Sequence, residues 1–133
     1  QDKDIPAGVT ILRIHGPFLF GTTDKLLEAT RNLSGFGDVV ILRLRNMTAL
    51  DATGVHALEQ FHQRLLRTGK VLLLCGARNQ PAQLLARSEF LRRLGPENLL
   101  PHIKDALARS RAIQGDFSGV GHELALELGH RPM

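Results

Sequence analysis

Two short stretches, "DVVILRL" at residues 38–44 and "KVLLLCG" at residues 70–76, are apolar at nearly every position. A strand with one face in water alternates apolar and polar residues, so an unbroken apolar run marks an interior strand covered on both faces. A segment of helical period follows each run. After the first, Val55, Leu58, Phe61, Leu65 and Leu66 form an apolar stripe, with His56, Gln60, Gln63, Arg64 and Arg67 on the other side. Strands alternating with helices predict an α/β domain.

The remaining segments fill in this frame. "VTILRI" (residues 9–14) and "HGPFLFG" (residues 15–21) read as two strands joined by a tight turn at Gly16-Pro17, which makes the sheet mixed rather than all parallel. Thr22, Thr23 and Asp24 supply N-cap chemistry for "KLLEATRNL", whose Leu26, Leu27, Thr30 and Leu33 share one helical face. "RNQPAQLLARSEFLRRLG" reads as one helix with Asn79 or Gln80 near its cap, Pro81 in its first turn and Gly95 at its stop. "NLL" makes a last short strand, and Pro101 opens a helix with Ile103, Ala106 and Leu107 facing inward. The expected architecture is a single α/β domain over residues 1–113, with a central mixed β-sheet of four to six strands and about four flanking helices. Residues 114–133 are expected to be a mobile or loosely docked tail, in which "HELALEL" is helical when docked.

Composition narrows the function. At 133 residues, one domain can bury a core without staples. No apolar run approaches the roughly 18–20 residues of a membrane-spanning helix. The opening "QDKDIPAG" has neither an initiator Met nor a secretory or transit pattern, as expected for a piece of a longer protein or a processed chain. Cys75, the one cysteine, has no internal disulfide partner and follows an apolar run, which fits a core thiol in a reducing cytosol. The charge of +4, from 17 Lys and Arg against 13 acids, suits a neighbouring anionic lipid leaflet or an acidic soluble protein. Nucleic acid is not an expected partner, because there is no Tyr or Trp to stack on bases and no nucleic-acid motif.

The chemistry concentrates in "TALDATGVHALEQFHQRLL" (residues 48–66), where a loop runs straight into the amphipathic helix. Asn46, Thr48, Asp51, Ala52, Thr53, Gly54 and His56 form the candidate interaction loop and helix start. Either Asp51 or Thr53 can cap the helix, and Gly54 gives the backbone room. Asp51, Thr53 and His56 also suggest an activated hydroxyl, but no G-x-S-x-G elbow accompanies them, so no catalytic residue is assigned. Neither phosphate-binding glycine motif is present, so no cofactor is expected and weak nucleotide binding stays unassigned. His56 and His62 are six residues apart, and no His, Cys or carboxylate pair has zinc-clamp spacing, so no metal is expected. His62 falls in the apolar stripe as a half-buried, hydrogen-bonded side chain, while His15 and His102 are turn and helix-start residues. Arg87, Arg92, Arg93 and Arg109 make the last two helices basic, either as a solvated face or as a contact face.

"VVILRLRNMTALDATGVHAL", with "GKVLLLCGARNQPAQLLARSEFLRRLGPENLLPHIKDALARS", resembles the STAS domain (sulfate transporter and anti-sigma factor antagonist). The opening "HGPFLFGTTDKL" and closing "LGPENLLPHIKDAL" are similar to the version found in bacterial SulP anion transporters. The resemblance implies a STAS-like fold and a non-catalytic regulatory and interaction domain on the cytoplasmic side of the inner membrane. Its first partner would be the membrane domain of the same polypeptide, which would carry sulfate, bicarbonate or a dicarboxylate. The alternative it implies is a free-standing anti-sigma factor antagonist or stress-complex protein switched by a kinase. Thr53 stands at the family's phospho-acceptor position, most typically Ser, and Ser88-Glu89-Phe90 stands where Ser-Gly-Phe is the usual pattern.

Overall fold

In the computed structural model, which describes residues 5–115 and the backbone of residues 122–125, the two apolar runs lie side by side inside one sheet. They are β3 (Val39–Arg43) and β5 (Val71–Cys75), paired from Val39↔Val71 to Arg43↔Cys75. Next to β3 is β1 (Val9–Arg13), and beyond β5 lies the short β6 (Leu99–Leu100). β7 (His122–Ala125) pairs with the other side of β1, so the order is β6-β5-β3-β1-β7.

The two faces separate by strand alternation. Val40, Leu42, Leu72 and Leu74 point to one side, where they pack with α1 (Asp24–Ala29), α2 (Ala52–Arg67), α3 (Asn79–Arg87) and α4 (Glu89–Leu94) through Leu26, Leu58, Phe61, Leu85 and Phe90. Val39, Ile41, Leu73 and Cys75 point to the other, where α5 (Ile103–Gln114) places Ala106 and, less buried, Ile103 and Leu107. Both faces are therefore dry, as the unbroken apolar runs require. Leu58, Phe61 and Leu65 are fully buried, each worth about 1.5–3 kcal/mol of transfer free energy, and they hold α2 on the sheet.

The α/β class stands, but the opening hairpin does not form. β2 (Gly16–Phe18) leaves the sheet and pairs in parallel with β4 (Met47–Leu50) as a separate two-stranded sheet. Gly16, at φ +82°, turns the chain, and its N–H donates to the Asn46 carbonyl rather than back to β1. Every strand pairing among the described residues is parallel, so the sheet is not mixed.

The helices also differ from expectation. The helix expected over residues 78–95 is two, because Ser88 has extended backbone at ψ 150°. Its hydroxyl donates to the Leu85 carbonyl (2.8 Å) and accepts from the Leu91 N–H (3.3 Å), closing α3 and capping α4. There are thus five α-helices among the described residues rather than about four. α1 is short and gives way to a 3-10 stretch, Thr30–Gly35, interrupted by non-helical backbone at Asn32. Thr23 precedes α1 without a side-chain cap, while the Thr22 hydroxyl accepts from the Leu19 N–H instead. In the tail, His122–Ala125 is a strand, not a helix, because the open edge of β1 offers unpaired backbone groups. Expectations for residues 116–121 and 126–133 lie outside the described residues.

Candidate functional site

The loop does not run directly from β3 into α2, because β4 intervenes and divides the expected site. Asn46 sits exposed in the turn between β3 and β4, and Thr48 is exposed on β4. The rest gathers at the start of α2, where Ala52, Thr53 and His56 are exposed in the first turns and Gly54 is buried.

Asp51 organises this end. It is the N-cap of α2, with extended backbone (φ −124°, ψ −176°), and its Oδ1 accepts from the Gly54 N–H at 2.8 Å. Its Oδ2 accepts from the Phe20 N–H at 3.1 Å, tying the segment after β2 to the helix start. The Gly54 N–H and then the Phe20 N–H hold this carboxyl below the usual carboxylate range. The cap therefore belongs to Asp51, and the Thr53 hydroxyl is not used for it. With both carboxylate oxygens engaged by backbone N–H groups, Asp51 serves as a structural acceptor rather than as a base for Thr53.

Two further residues shape the loop. A Cβ on Gly54 would lie 2.3 Å from the Phe18 carbonyl oxygen and 2.7 Å from Leu50 Cδ1, so α2 starts hard against β2 only because this residue lacks a side chain. Gln80, in the first turn of α3, brackets Leu50: its Oε1 accepts from the Leu50 N–H (2.8 Å) and its Nε2 donates to the Leu50 carbonyl (2.7 Å). The amide thus acts as a strand partner for the last residue of β4. Sequence reasoning placed Gln80 only near a helix cap, and it missed Phe20, whose side chain is 81% exposed beside the Asp51 anchor. In the sequence Phe20 read as one more apolar residue of a strand, which gave no signal for the second.

The four arginines do not form one face. Arg87, Arg92 and Arg93 belong to α3 and α4, and Arg109 to α5 across the sheet. Arg92 pairs with Glu89 at 2.9 Å, and Arg93 with Glu59. Arg109 donates through Nε to Asn98 Oδ1 at 2.9 Å and lies 3.9 Å from Glu97. Much of their charge is balanced locally.

His62 is buried deeper than expected, 6% exposed, with its ring edge-on to Phe90 at 5.8 Å and 66°. Burial holds its pKa down against the opposing pull of Glu59. Cys75 is a core residue whose thiol burial pushes up to about 12, so it is an unreactive packing group. Among the described residues, no three His, Cys, Asp or Glu side chains come together as a metal site, and no helix is long and apolar enough to cross a membrane.

The architecture is an α/β domain with a parallel sheet helix-covered on both faces and an Asp-capped helix start beside the separate β2–β4 pair. The family model for the STAS domain matches residues 1–107, and the chain belongs to that family. It is similar to the solved structure of a sulfate transporter family protein from Wolinella succinogenes, with 37% identity and a TM-score of 0.77 over 84% of this chain and 92% of that one. It is similar to a SulP transporter STAS domain from Vibrio cholerae, with 25% identity and a TM-score of 0.71 over 84% of this chain and 88% of that one. The murine Solute Carrier 26 family member A9 anion transporter shares the fold, at 20% identity and a TM-score of 0.69 over 80% of this chain but 18% of that one. Comparison with curated proteins gave no match.

Proposed function

We propose that this chain is the non-catalytic regulatory and docking domain of a SulP-type membrane anion transporter, held at the cytoplasmic side of the inner membrane. The membrane domain of the same polypeptide is its first partner. The observation that carries this reading is the 37% identity to a sulfate transporter family protein across 92% of that chain. The geometry supports docking over catalysis: Asp51 is spent on backbone N–H groups, whereas Phe20, Ala52, Thr53 and His56 present exposed side chains around it. Thr53 is the candidate phospho-acceptor, since phosphorylation adds about 1.5–2 negative charges to a surface that a partner reads.

Fractionation of the source cells tests the reading with an antibody raised against the domain. The antigen is expected in the membrane pellet, released by detergent, at a mass several-fold above the 14.7 kDa of this chain. A soluble antigen near that mass would favour the free-standing anti-sigma antagonist class instead.

A further inference from the structure

Parallel strands all end on the same edge of the sheet, and the crevice outside those ends is where ligands bind in open α/β sheets. Here the carboxyl ends of β3, β5 and β6 and the start of α5 enclose a cleft of about 410 Å³, separate from the Asp51 loop. Its polar lining holds three arginines and one imidazole: Arg43 ends β3, Arg45 follows in the next turn, Arg78 lies in the loop after β5, and His102 precedes α5. Arg78 donates through Nε to the Arg45 carbonyl at 3.1 Å, which fixes the two arginine-bearing loops together. That bond uses one of the five guanidinium donors of Arg78. Arg43 is already engaged within the protein, so the binding contacts fall to Arg45 and Arg78.

The helix start adds to this field. His102 and Ile103, the N-cap and first residue of α5, both line the cleft, and α5 begins without a side-chain cap. The Asp105 N–H already donates to the His102 carbonyl at 3.0 Å, so the N–H groups of Ile103 and Lys104, with the positive dipole end, favour an anion. Asp105 in the same turn opposes it, close enough to act on the Cys75 thiol alongside Arg43, but Arg45 and Arg78 set two positive charges against that one. Guanidinium forks and a helix start offer donors from several directions. A tetrahedral dianion has acceptors to meet them, whereas a carboxylate presents two coplanar oxygens and one charge.

We propose that this cleft binds a tetrahedral oxyanion, phosphate or sulfate, either free or as the terminal group of a larger molecule. The site stands apart from the transporter assignment, since every group named belongs to this chain. The test titrates the 15N-labelled 133-residue chain with sodium phosphate and sodium sulfate at constant ionic strength, with sodium acetate as the comparison. Saturable shifts are expected at Gly76, Arg78, Ile103 and Lys104. Arg45→Gln and Arg78→Gln should each weaken binding at least tenfold while the rest of the spectrum stays native, and Arg87→Gln, on the opposite side of the sheet, should leave it unchanged. Vesicles carrying phosphatidic acid distinguish the sources: sedimentation lost in Arg78→Gln assigns the site to a lipid phosphate, and saturable phosphate binding without sedimentation assigns it to a soluble anion. Shifts that never saturate, acetate binding equal to phosphate, or equal effects of the Arg78 and Arg87 substitutions would each overturn the proposal.

Discussion

Asp51 and Phe20, 31 residues apart, meet through one hydrogen bond of 3.1 Å from the Phe20 N–H to the Asp51 carboxylate. The same carboxylate caps α2 through the Gly54 N–H at 2.8 Å. One side chain therefore holds two chain segments in a single surface, and removing it should affect both.

Asp51→Ala should cost about 0.5–2 kcal/mol, the usual worth of an N-cap, read from urea unfolding. Amide exchange should also speed up at Phe20 as well as at Gly54. Asp51→Asn, itself a good cap, should recover most of the stability, and an unchanged Phe20 amide in the Ala variant would mean the carboxylate does not hold that segment.

Gly54→Ala places a methyl group where the Phe18 carbonyl oxygen and Leu50 Cδ1 already stand. Ala is the better helix former by about 1 kcal/mol, but overpacking of this kind costs about 1–3 kcal/mol. A lowered melting temperature is expected; a raised one would show that β2 can retreat from α2 without cost.

The pH dependence follows from two depressed pKa values of opposite chemical type. For His62 the folded pKa lies below its ordinary 6.5, so the unfolded chain takes up the proton first, and stability falls as pH drops below about 6.5. For Asp51 the folded value lies below 3.8, so its stabilisation is present above that pH and is lost as pH falls through the folded value. Urea midpoints at pH 7.5 and 5.5 should differ less in His62→Leu than in the wild type. Equal differences in the two would remove His62 as the source.

Thr53→Glu puts negative charge in the first turn of α2, where the helix dipole welcomes it and the Asp51 carboxylate repels it. These effects offset each other, so stability should move by no more than about 0.5 kcal/mol. Intact mass after incubation with lysate and ATP, compared between wild type and Thr53→Ala, reports whether the site takes phosphate; equal uptake by both would place the modification elsewhere.

The core strands were legible because β3 and β5 are apolar without interruption, and α2 because its stripe repeats at helical spacing. A side-chain cap at the start of α2 was legible for a local reason, since cap residues need no tertiary information, but the choice of Asp51 over Thr53 came only with the structure. The β2–β4 pair was not legible. Each strand is three or four residues long and carries little pattern, and Gly16-Pro17 imitates a hairpin turn when only the location of β4 shows that the chain leaves the sheet. Ser88 looked like one more residue of a helical period, yet its hydroxyl bonds both neighbouring turns and divides the helix. Gln80 and the arginine-lined cleft depend on how α3 and α5 sit against the sheet, which no local spacing encodes. The four arginines were grouped because they fall on the last two expected helices, and the sheet separates Arg109 from the other three.

The reading frame upstream of Gln1 tests the transporter assignment most directly. The expected result is around ten or more apolar segments of about 20 residues each, enough to build a membrane domain joined to this one. A start codon immediately before Gln1, with no such segments in frame, would contradict it.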